Sequence, residues 1–386
     1  MYKIKTMNKI AACGLDRIDS TKYTIADDIK DEDGIIVRSA ALHEYEMPAS
    51  LKAIARAGAG VNNIPLDECS KKGIVVFNTP GANANAVKEL VMLGLLVSAR
   101  RVYPAMKWVQ EQDTSADIAK LVEKGKSQFT GPELLGKTLG VIGLGAIGIK
   151  IANLATSFGM KVYGYDPFLS VDNAWKLDTK VIHANKIEEV YANSDFITIH
   201  IPQTNETKGT ICTESISKMK DGVRILNFAR GGLVVDADII AAIESGKVSN
   251  YVTDFPNEKL LGIDGVIAIP HLGASTPESE DNCAIMAADE LVNYLENGNI
   301  VNSVNMPNVS MPRSGQGRVG VIHLNTPNMI AQISNVLSKN NLNIENLVNK
   351  SRDEFAYTLV DANNSISDTV IEELKNTENV LAVNVY

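Results

Sequence analysis

One arginine, two carboxylates and a histidine stand at the ends of apolar runs in the second half of this chain. Arg230 follows Val223–Leu226 in the glycine turn N-F-A-R-G-G, Asp254 and Glu258 follow Tyr251–Thr253, and His271 ends the run Ile267–Pro270 in P-H-L-G-A-S. These types supply a cation that can hold a carboxylate and polarise a carbonyl. They also supply an imidazole suited to proton transfer near neutral pH and a carboxylate able to orient it. Moving a proton and a hydride at C2 of a 2-hydroxy acid needs this set. Carboxy-terminal strand ends are also where open α/β sheets build their sites.

A second constellation would hold the hydride acceptor. Thr138–Gly148, T-L-G-V-I-G-L-G-A-I-G, runs an apolar strand through G-x-G-x-x-G into a helix that continues to Phe158. Gly143 allows the tight turn, Gly145 lets backbone approach a pyrophosphate, and Gly148 lets helix and strand pack closely. The helix N-terminus points N–H groups at the phosphates. The next strand, Lys161–Tyr165, ends in Asp166, about 20 residues on, where an acidic side chain accepts from ribose hydroxyls and repels a 2′-phosphate. Pro167 follows rather than arginine, so NAD is predicted over NADP.

The whole chain narrows the alternatives. Its 386 residues predict two or three domains at roughly 150 residues each. A net charge of −9 argues against a general grip on nucleic acid, which needs a basic surface. The longest uncharged apolar run, Leu90–Ala99, is bounded by Glu89 and Arg100 and reads as a buried helix, not a membrane span. The basic amino terminus lacks the apolar core of a secretion signal. Cys13, Cys69, Cys212 and Cys283 are scattered, with neither C-x-x-C nor metal spacing, which predicts no disulfide, no metal and a reducing cytoplasm.

The scaffold follows from the apolar pattern. Gly34–Arg38, Leu51–Ala57 and Gly73–Phe77 read as parallel strands with their connections; a helix runs from Ala86 to about Gln110, and turn-rich, charged sequence continues to Gly136. From Thr138 the βα alternation restarts. Asn305–Arg318, rich in Pro, Gly, Ser and Asn, reads as a linker. Beyond it the order is βαββαβ: strands at 319–325, 343–349, 355–360 and 380–386, helices at 327–339 and 367–376. This tail has five basic and eight acidic side chains and no aromatic pair to stack bases, so RNA is not its ligand. The predicted fold class is α/β, with two doubly wound, Rossmann-like parallel-sheet domains and a ferredoxin-like C-terminal module. The nucleotide domain (96–274) is inserted into a substrate domain (1–95 and 275–304), 305–317 forms the linker, and 318–386 forms the module.

These segments resemble the D-isomer-specific 2-hydroxyacid dehydrogenases over essentially the full length of the chain. The resemblance implies NAD-dependent oxidation of D-3-phosphoglycerate to 3-phosphohydroxypyruvate, the entry to L-serine synthesis. It implies that Arg230 binds the substrate carboxylate and carbonyl, that His271 is the acid/base, and that Glu258 tunes the histidine. Around the cofactor it implies Ile147 and Gly148 in the pyrophosphate loop and Pro202 and Thr207 in H-I-P-Q-T-x-x-T. At the nicotinamide it adds Phe228, Ala229, Arg230, Asp254, His271, Gly273 and Ala274. His200 belongs with the cofactor loop rather than with the acid/base. Arg38, Ser39 and Asn83 match positions that touch substrate, and Arg38 has the charge a phosphate requires.

The tail resembles an ACT domain, with His323, Asn325 and Asn343 at effector-contacting positions, which implies an L-serine effector and a homodimer or homotetramer. The chain departs from the family pattern at named places. Asp254 abuts Phe255 directly where the family has an aspartate before a Val-Phe pair, Lys259 follows Glu258 where proline is usual, and Val61-Asn62-Asn63 stands where an aspartate is more usual. Asn328 replaces the glycine of a Pro-Gly turn. The nearest alternative is a glyoxylate or hydroxypyruvate reductase on the same fold, against which the tail argues. An alternative of another class is a nucleotide-sensing, corepressor-like binding protein, against which the set Arg230, Glu258 and His271 argues.

Overall fold

Short β-branched runs build a five-stranded sheet from β1 (Tyr2–Met7), β2 (Tyr23–Ala26), β3 (Gly34–Val37), β4 (Ala53–Arg56) and β5 (Val75–Phe77). The order is β2-β1-β3-β4-β5 and every pair is parallel. β3 and β5 are buried along their whole length, as strands covered on both faces must be. The amino-terminal segment, legible in the sequence only as basic, places Ile4 in the core and pairs with both β2 and β3. The helix Pro277–Asn297 turns Cys283, Ala284, Ala287, Ala288, Leu291, Tyr294 and Leu295 inward at helical spacing and packs against β3, β4 and β5.

The second sheet comprises β6 (Thr138–Ile142), β7 (Lys161–Tyr165), β8 (Ile182–His183), β9 (Phe196–Ile199), β10 (Val223–Asn227), β11 (Val248–Thr253) and β12 (Val266–Ala268). Its order is β12-β11-β10-β9-β6-β7-β8, again all parallel. The chain reverses direction of winding between β6 and β9. That is the topological switch point, where the loop Gly143–Gly145 leads into the helix Ala146–Ser157.

The structure is a computed structural model describing residues 1–386, and the chain divides into two units: Met1–Asn83 with Pro277–Tyr386, and Ala84–Thr276. The first junction falls before the helix Ala84–Arg100, where the sequence pattern placed it at 95. The reason is packing: Val87, Val91, Met92, Leu95 and Ala99 join Leu139, Val141, Leu226 and Phe228 in the core of the second sheet. The helix expected to reach Gln110 breaks at Arg101, whose φ is +47°, and resumes as Val102–Gln110 with no buried residue. With no buried face, nothing holds the second piece in line with the first. The stretch read as turns also contains a helix, Ile118–Gly125, capped by Asp117.

The tail forms β13 (Gly317–Leu324), β14 (Ile344–Arg352), β15 (Phe355–Ala362) and β16 (Val380–Val385) in the antiparallel order β14-β15-β13-β16, with helices Met329–Lys339 and Asp368–Lys375. Asn328 adopts a φ of +72°, a left-handed conformation that asparagine tolerates, and so keeps the turn that glycine would make.

The segment at 305–317 is not a solvated tether. Asn305, Met306, Val309 and Met311 are buried, and the three apolar ones join Phe77, Tyr294, Ile322, Tyr357 and Leu359 in a single core. The Asn305 amide accepts from Val76 N at 2.8 Å and donates to Ile74 O at 2.9 Å. Its composition signals irregular backbone, and irregular backbone can be buried when side chains satisfy it. No helix is long and apolar enough to cross a membrane.

Candidate active site

At the switch point the three glycines do different work. Gly143 has a φ of +94°, which favours glycine. A Cβ on Gly148 would lie 1.9 Å from the Gly143 carbonyl oxygen, so helix and turn meet only without a side chain. A Cβ on Gly145 would meet nothing within 4 Å, so open space lies over the start of the helix Ala146–Ser157, with Ile147 half-buried in its first turn. That cradle fits a dinucleotide pyrophosphate.

Asp166 accepts from Leu144 N and from Phe168 N, both at 2.9 Å, which fixes its carboxylate at the end of β7. Each oxygen keeps lone-pair capacity for a ribose hydroxyl. The loop after β9 closes on itself, with Thr207 Oγ1 donating to Pro202 O at 2.6 Å and accepting from Thr204 N at 2.7 Å. His200 Nε2 meets Thr198 Oγ1 at 2.8 Å, while Nδ1 is buried without a partner. Burial pushes its pKa down to about 3, so His200 is neutral at physiological pH and is no proton donor there.

The ends of β10, β11 and β12 bring together Arg230, Asp254 and His271. Asn227, fully buried, is the clamp for the arginine turn: Nδ2 donates to Arg230 O at 2.9 Å, and Oδ1 accepts from Ala229 N at 3.2 Å and Arg230 N at 3.3 Å. Gln203 Oε1 accepts from Gly232 N at 3.0 Å, tying this turn to the loop after β9. Arg230 itself is exposed, with Nη1 donating to Ala229 O at 2.6 Å, and Phe228 beside it is buried. The exposed imidazole of His271 lies tilted on the Phe255 ring, centroids 4.7 Å apart. A Cβ on Gly231 would sit 3.4 Å from Phe255 Cβ, so this phenylalanine spans from the arginine turn to the histidine. Buried Gly273 and half-buried Ala274 continue past His271.

Asp254 is 1% exposed, and its Oδ1 has no hydrogen-bond partner. Burial raises its pKa above the ordinary carboxylate value, while the charges of His271 and Arg230 pull it down. Glu258, expected to hydrogen-bond and tune His271, makes no hydrogen bond to it. It is exposed and makes no hydrogen bond or ion pair. Its neighbours explain this: Asn257 Nδ2 donates to Asp236 Oδ2 at 3.0 Å, Leu260 is buried in the core, and residue 258 between these anchors faces outward. Asn227, Gln203 and Phe255 were not singled out in the sequence. The only local signal was a polar residue, Asn227, at the end of a buried strand.

Arg38 and Ser39 follow β3 in the other unit. Arg38 Nη2 pairs with Glu280 Oε1, and its carbonyl accepts from Arg56 Nε at 3.1 Å, which brings two arginines to neighbouring strand ends. Asn8 Oδ1 accepts from Ser39 N at 2.9 Å and Ala40 N at 2.7 Å, holding this loop. Asn83 is half-buried, the last residue before the helix Ala84–Arg100.

In the tail, His323 is buried with both ring nitrogens occupied, Nδ1 by Leu324 O at 2.8 Å and Nε2 by Thr358 Oγ1 at 2.9 Å. Asn325 Nδ2 donates to Asp353 O at 3.2 Å, and Asn343 Nδ2 to Glu345 Oε1 at 3.3 Å. His323 pairs with Ala356, whereas Asn343 precedes Ile344, the partner of Ala362. Seven rows at about 3.3 Å each separate His323 from Asn343 by about 23 Å, so one chain does not bring the three together.

A glycine turn at the switch point, with an acidic residue on the neighbouring strand and charged groups on the far strands, is the architecture of a dinucleotide-dependent oxidoreductase. Residues 92–273 match the family described as "D-isomer specific 2-hydroxyacid dehydrogenase, NAD binding domain". A hydroxypyruvate reductase of Thermotoga maritima is 38% identical over 279 residues, 69% of this chain and 86% of that protein. The D-3-phosphoglycerate dehydrogenase of Bacillus subtilis (strain 168) is 36% identical over 327 residues, 80% of this chain and 59% of that protein. The NAD+-bound 3-phosphoglycerate dehydrogenase of Entamoeba histolytica superposes with a TM-score of 0.61 at 29% identity, over 79% of this chain and 98% of that one. The chain therefore belongs to the D-isomer specific 2-hydroxyacid dehydrogenases, and its cofactor is NAD. It spans little more than half the length of the Bacillus relative.

Proposed function

We propose that this protein oxidises D-3-phosphoglycerate to 3-phosphohydroxypyruvate with NAD, the first step of phosphorylated L-serine synthesis. The observation that supports the phosphorylated substrate is two arginines at adjacent strand ends, Arg56 Nε donating to the Arg38 carbonyl, with the Arg38 guanidinium held by Glu280. Two guanidiniums suit a phosphate dianion, which accepts bidentate hydrogen bonds. Arg230 holds the substrate carboxylate and polarises the C2 oxygen, and His271 takes the C2 hydroxyl proton. NAD, when bound, accepts the C2 hydride. Ser39 and Asn83 complete the substrate contacts.

The test is initial-rate NADH oxidation with phosphohydroxypyruvate, hydroxypyruvate and glyoxylate side by side. A clear preference for the phosphorylated substrate supports the assignment; equal or better turnover of hydroxypyruvate favours the reductase reading, which the Thermotoga relative keeps open. No NADH oxidation with any 2-oxo acid would return the protein to the class of nucleotide-sensing binders. Replacing His271 by Ala is expected to abolish turnover while NADH still binds.

The tail is assigned to effector binding as an ACT-like module. Because His323 and Asn343 lie at opposite ends of its sheet, a site using both needs two copies, in keeping with a homodimer or homotetramer. Exposed Leu93, Leu96, Tyr103 and Met106 on the helices Ala84–Arg100 and Val102–Gln110 offer an apolar surface for assembly. Light scattering measures the assembly, and rate measurements with and without L-serine test the effector.

A further inference from the structure

We propose that Glu280 competes with the substrate phosphate for the Arg38 guanidinium and so sets how tightly the site holds phosphorylated ligands. The inference rests on the reading of Arg38 as the phosphate-binding residue and adds a residue that determines specificity at that site.

Three segments of the first unit converge here. Arg38 immediately follows β3, and Arg56 ends β4, where it stands opposite Val37. Arg56 Nε donates to Arg38 O at 3.1 Å, and a Cβ on Gly58 would lie 1.8 Å from Arg56 Nη1, so the guanidinium lies against the glycine turn after β4. The third segment is the start of the helix Pro277–Asn297. Glu280 stands one turn before the inward-facing Cys283 and Ala284, which places it on the helix face turned to the sheet, and its Oε1 accepts from Arg38 Nη2. Asn282 Nδ2 donates to Ala82 O at 3.5 Å, beside Asn83. Burial raises the pKa of the Cys283 thiol; Arg56 and Arg38 oppose the rise and Glu280 adds to it, so all three charges surround one point.

The charges explain the competition. Two guanidiniums and one carboxylate leave a single net positive charge, whereas a phosphate monoester carries close to two negative charges at pH 7. The guanidinium that donates to Glu280 is the one a phosphate would take, and carboxylate and phosphate cannot share it without like-charge repulsion. The ion pair is exchangeable because it is exposed: the side chains of Arg38 and Glu280 keep 44% and 42% of their surface, and such pairs contribute little. An unphosphorylated substrate leaves the pair intact. Glu280 therefore weakens the binding of phosphorylated ligands alone.

The experiment compares wild type, E280Q, E280A and R38A in the full-length protein at constant ionic strength. KM is measured for phosphohydroxypyruvate and for hydroxypyruvate. Inorganic phosphate is titrated both as an inhibitor and, without substrate, as a ligand that raises Tm. E280Q keeps the shape of the side chain and removes its charge. It is expected to lower KM for phosphohydroxypyruvate and the inhibition constant of phosphate by about 3- to 10-fold each, the worth of a solvent-screened charge contact. KM for hydroxypyruvate should stay within about twofold, because an exposed substitution away from its contacts changes little. R38A should abolish the phosphate response.

The proposal is overturned if E280Q leaves phosphate binding unchanged, which makes Glu280 a bystander. It is also overturned if E280Q weakens phosphate binding, which makes the carboxylate a brace that positions Arg38. A phosphate response that survives R38A overturns it as well, since the anion then sits elsewhere. E280A is read against the same criteria should E280Q fail to fold. Equal turnover of phosphohydroxypyruvate and hydroxypyruvate by the wild type would instead remove the phosphorylated-substrate reading. The melting curves with phosphate need no turnover and decide on Glu280 separately.

Discussion

Arg318 on β13 and Asp361 on β15 stand directly opposite each other and form a fully buried, two-pronged ion pair. Arg318 Nη1 also donates to Asn297 O at 3.0 Å and Met311 O at 3.1 Å, and Asp361 Oδ2 accepts from Ser314 N at 2.7 Å. One pair thus fastens the tail sheet to the end of the helix Pro277–Asn297 and to the segment that follows it. Removing one partner strands a buried charge, so D361N should cost about 3–5 kcal/mol in a denaturation experiment. The double replacement R318M/D361L should cost less than either single change. Burial raises the Asp361 pKa, but hydrogen bonds from Arg318 and Ser314 more than offset this and hold it below the ordinary value. A depressed native pKa contributes stability above the unfolded value, about 4, and loses it as pH falls through the native one. Acid unfolding should begin at lower pH in the wild type than in a variant whose pair has been weakened by R318K.

Glu290 behaves in the opposite sense. Burial pushes its pKa up to about 8, with the Asn302 amide, 2.7 Å from Oε1, opposing and Asp289 reinforcing the rise. A raised native pKa means the native state holds the proton more tightly than the unfolded chain. The stabilisation is complete below the unfolded value and is lost as pH rises towards 8. Thermal stability should therefore fall from pH 5 to pH 8, and E290Q should flatten that slope, raising Tm at pH 8 by a few degrees, equivalent to about 1–2 kcal/mol.

The two glycines flanking the pyrophosphate cradle should separate binding from folding. Gly145 has open space where a side chain would go, so G145V is expected to fold with near-wild-type Tm but to bind NADH at least about tenfold more weakly, since the side chain occupies the ligand's place. G148A meets the Gly143 carbonyl and should lower Tm as well. Calorimetric titration with NADH alongside a melting curve distinguishes the two.

Arg38 tests the substrate assignment. Its removal in R38A should raise KM for phosphohydroxypyruvate by about 10- to 100-fold, the worth of a charge-assisted hydrogen bond. KM for unphosphorylated hydroxypyruvate should change far less. Equal losses for both would mean that Arg38 serves the loop rather than the phosphate.

Much of this molecule was legible in short stretches of sequence. The parallel strands, the glycine turn with Asp166, and the placing of Arg230 and His271 at strand ends all follow from patterns a few residues long, because apolar runs, turn glycines and strand termini are set by neighbours along the chain. Other features needed the folded chain. The burial of 305–317, the break at Arg101 and the ends of the sheet occupied by His323 and Asn343 depend on contacts between residues far apart in sequence. The same is true of the carboxylates. Asp254 and Glu258 are chemically alike and four positions apart, and only the anchoring of Asn257 to Asp236 and of Leu260 in the core turns one inward and the other to water.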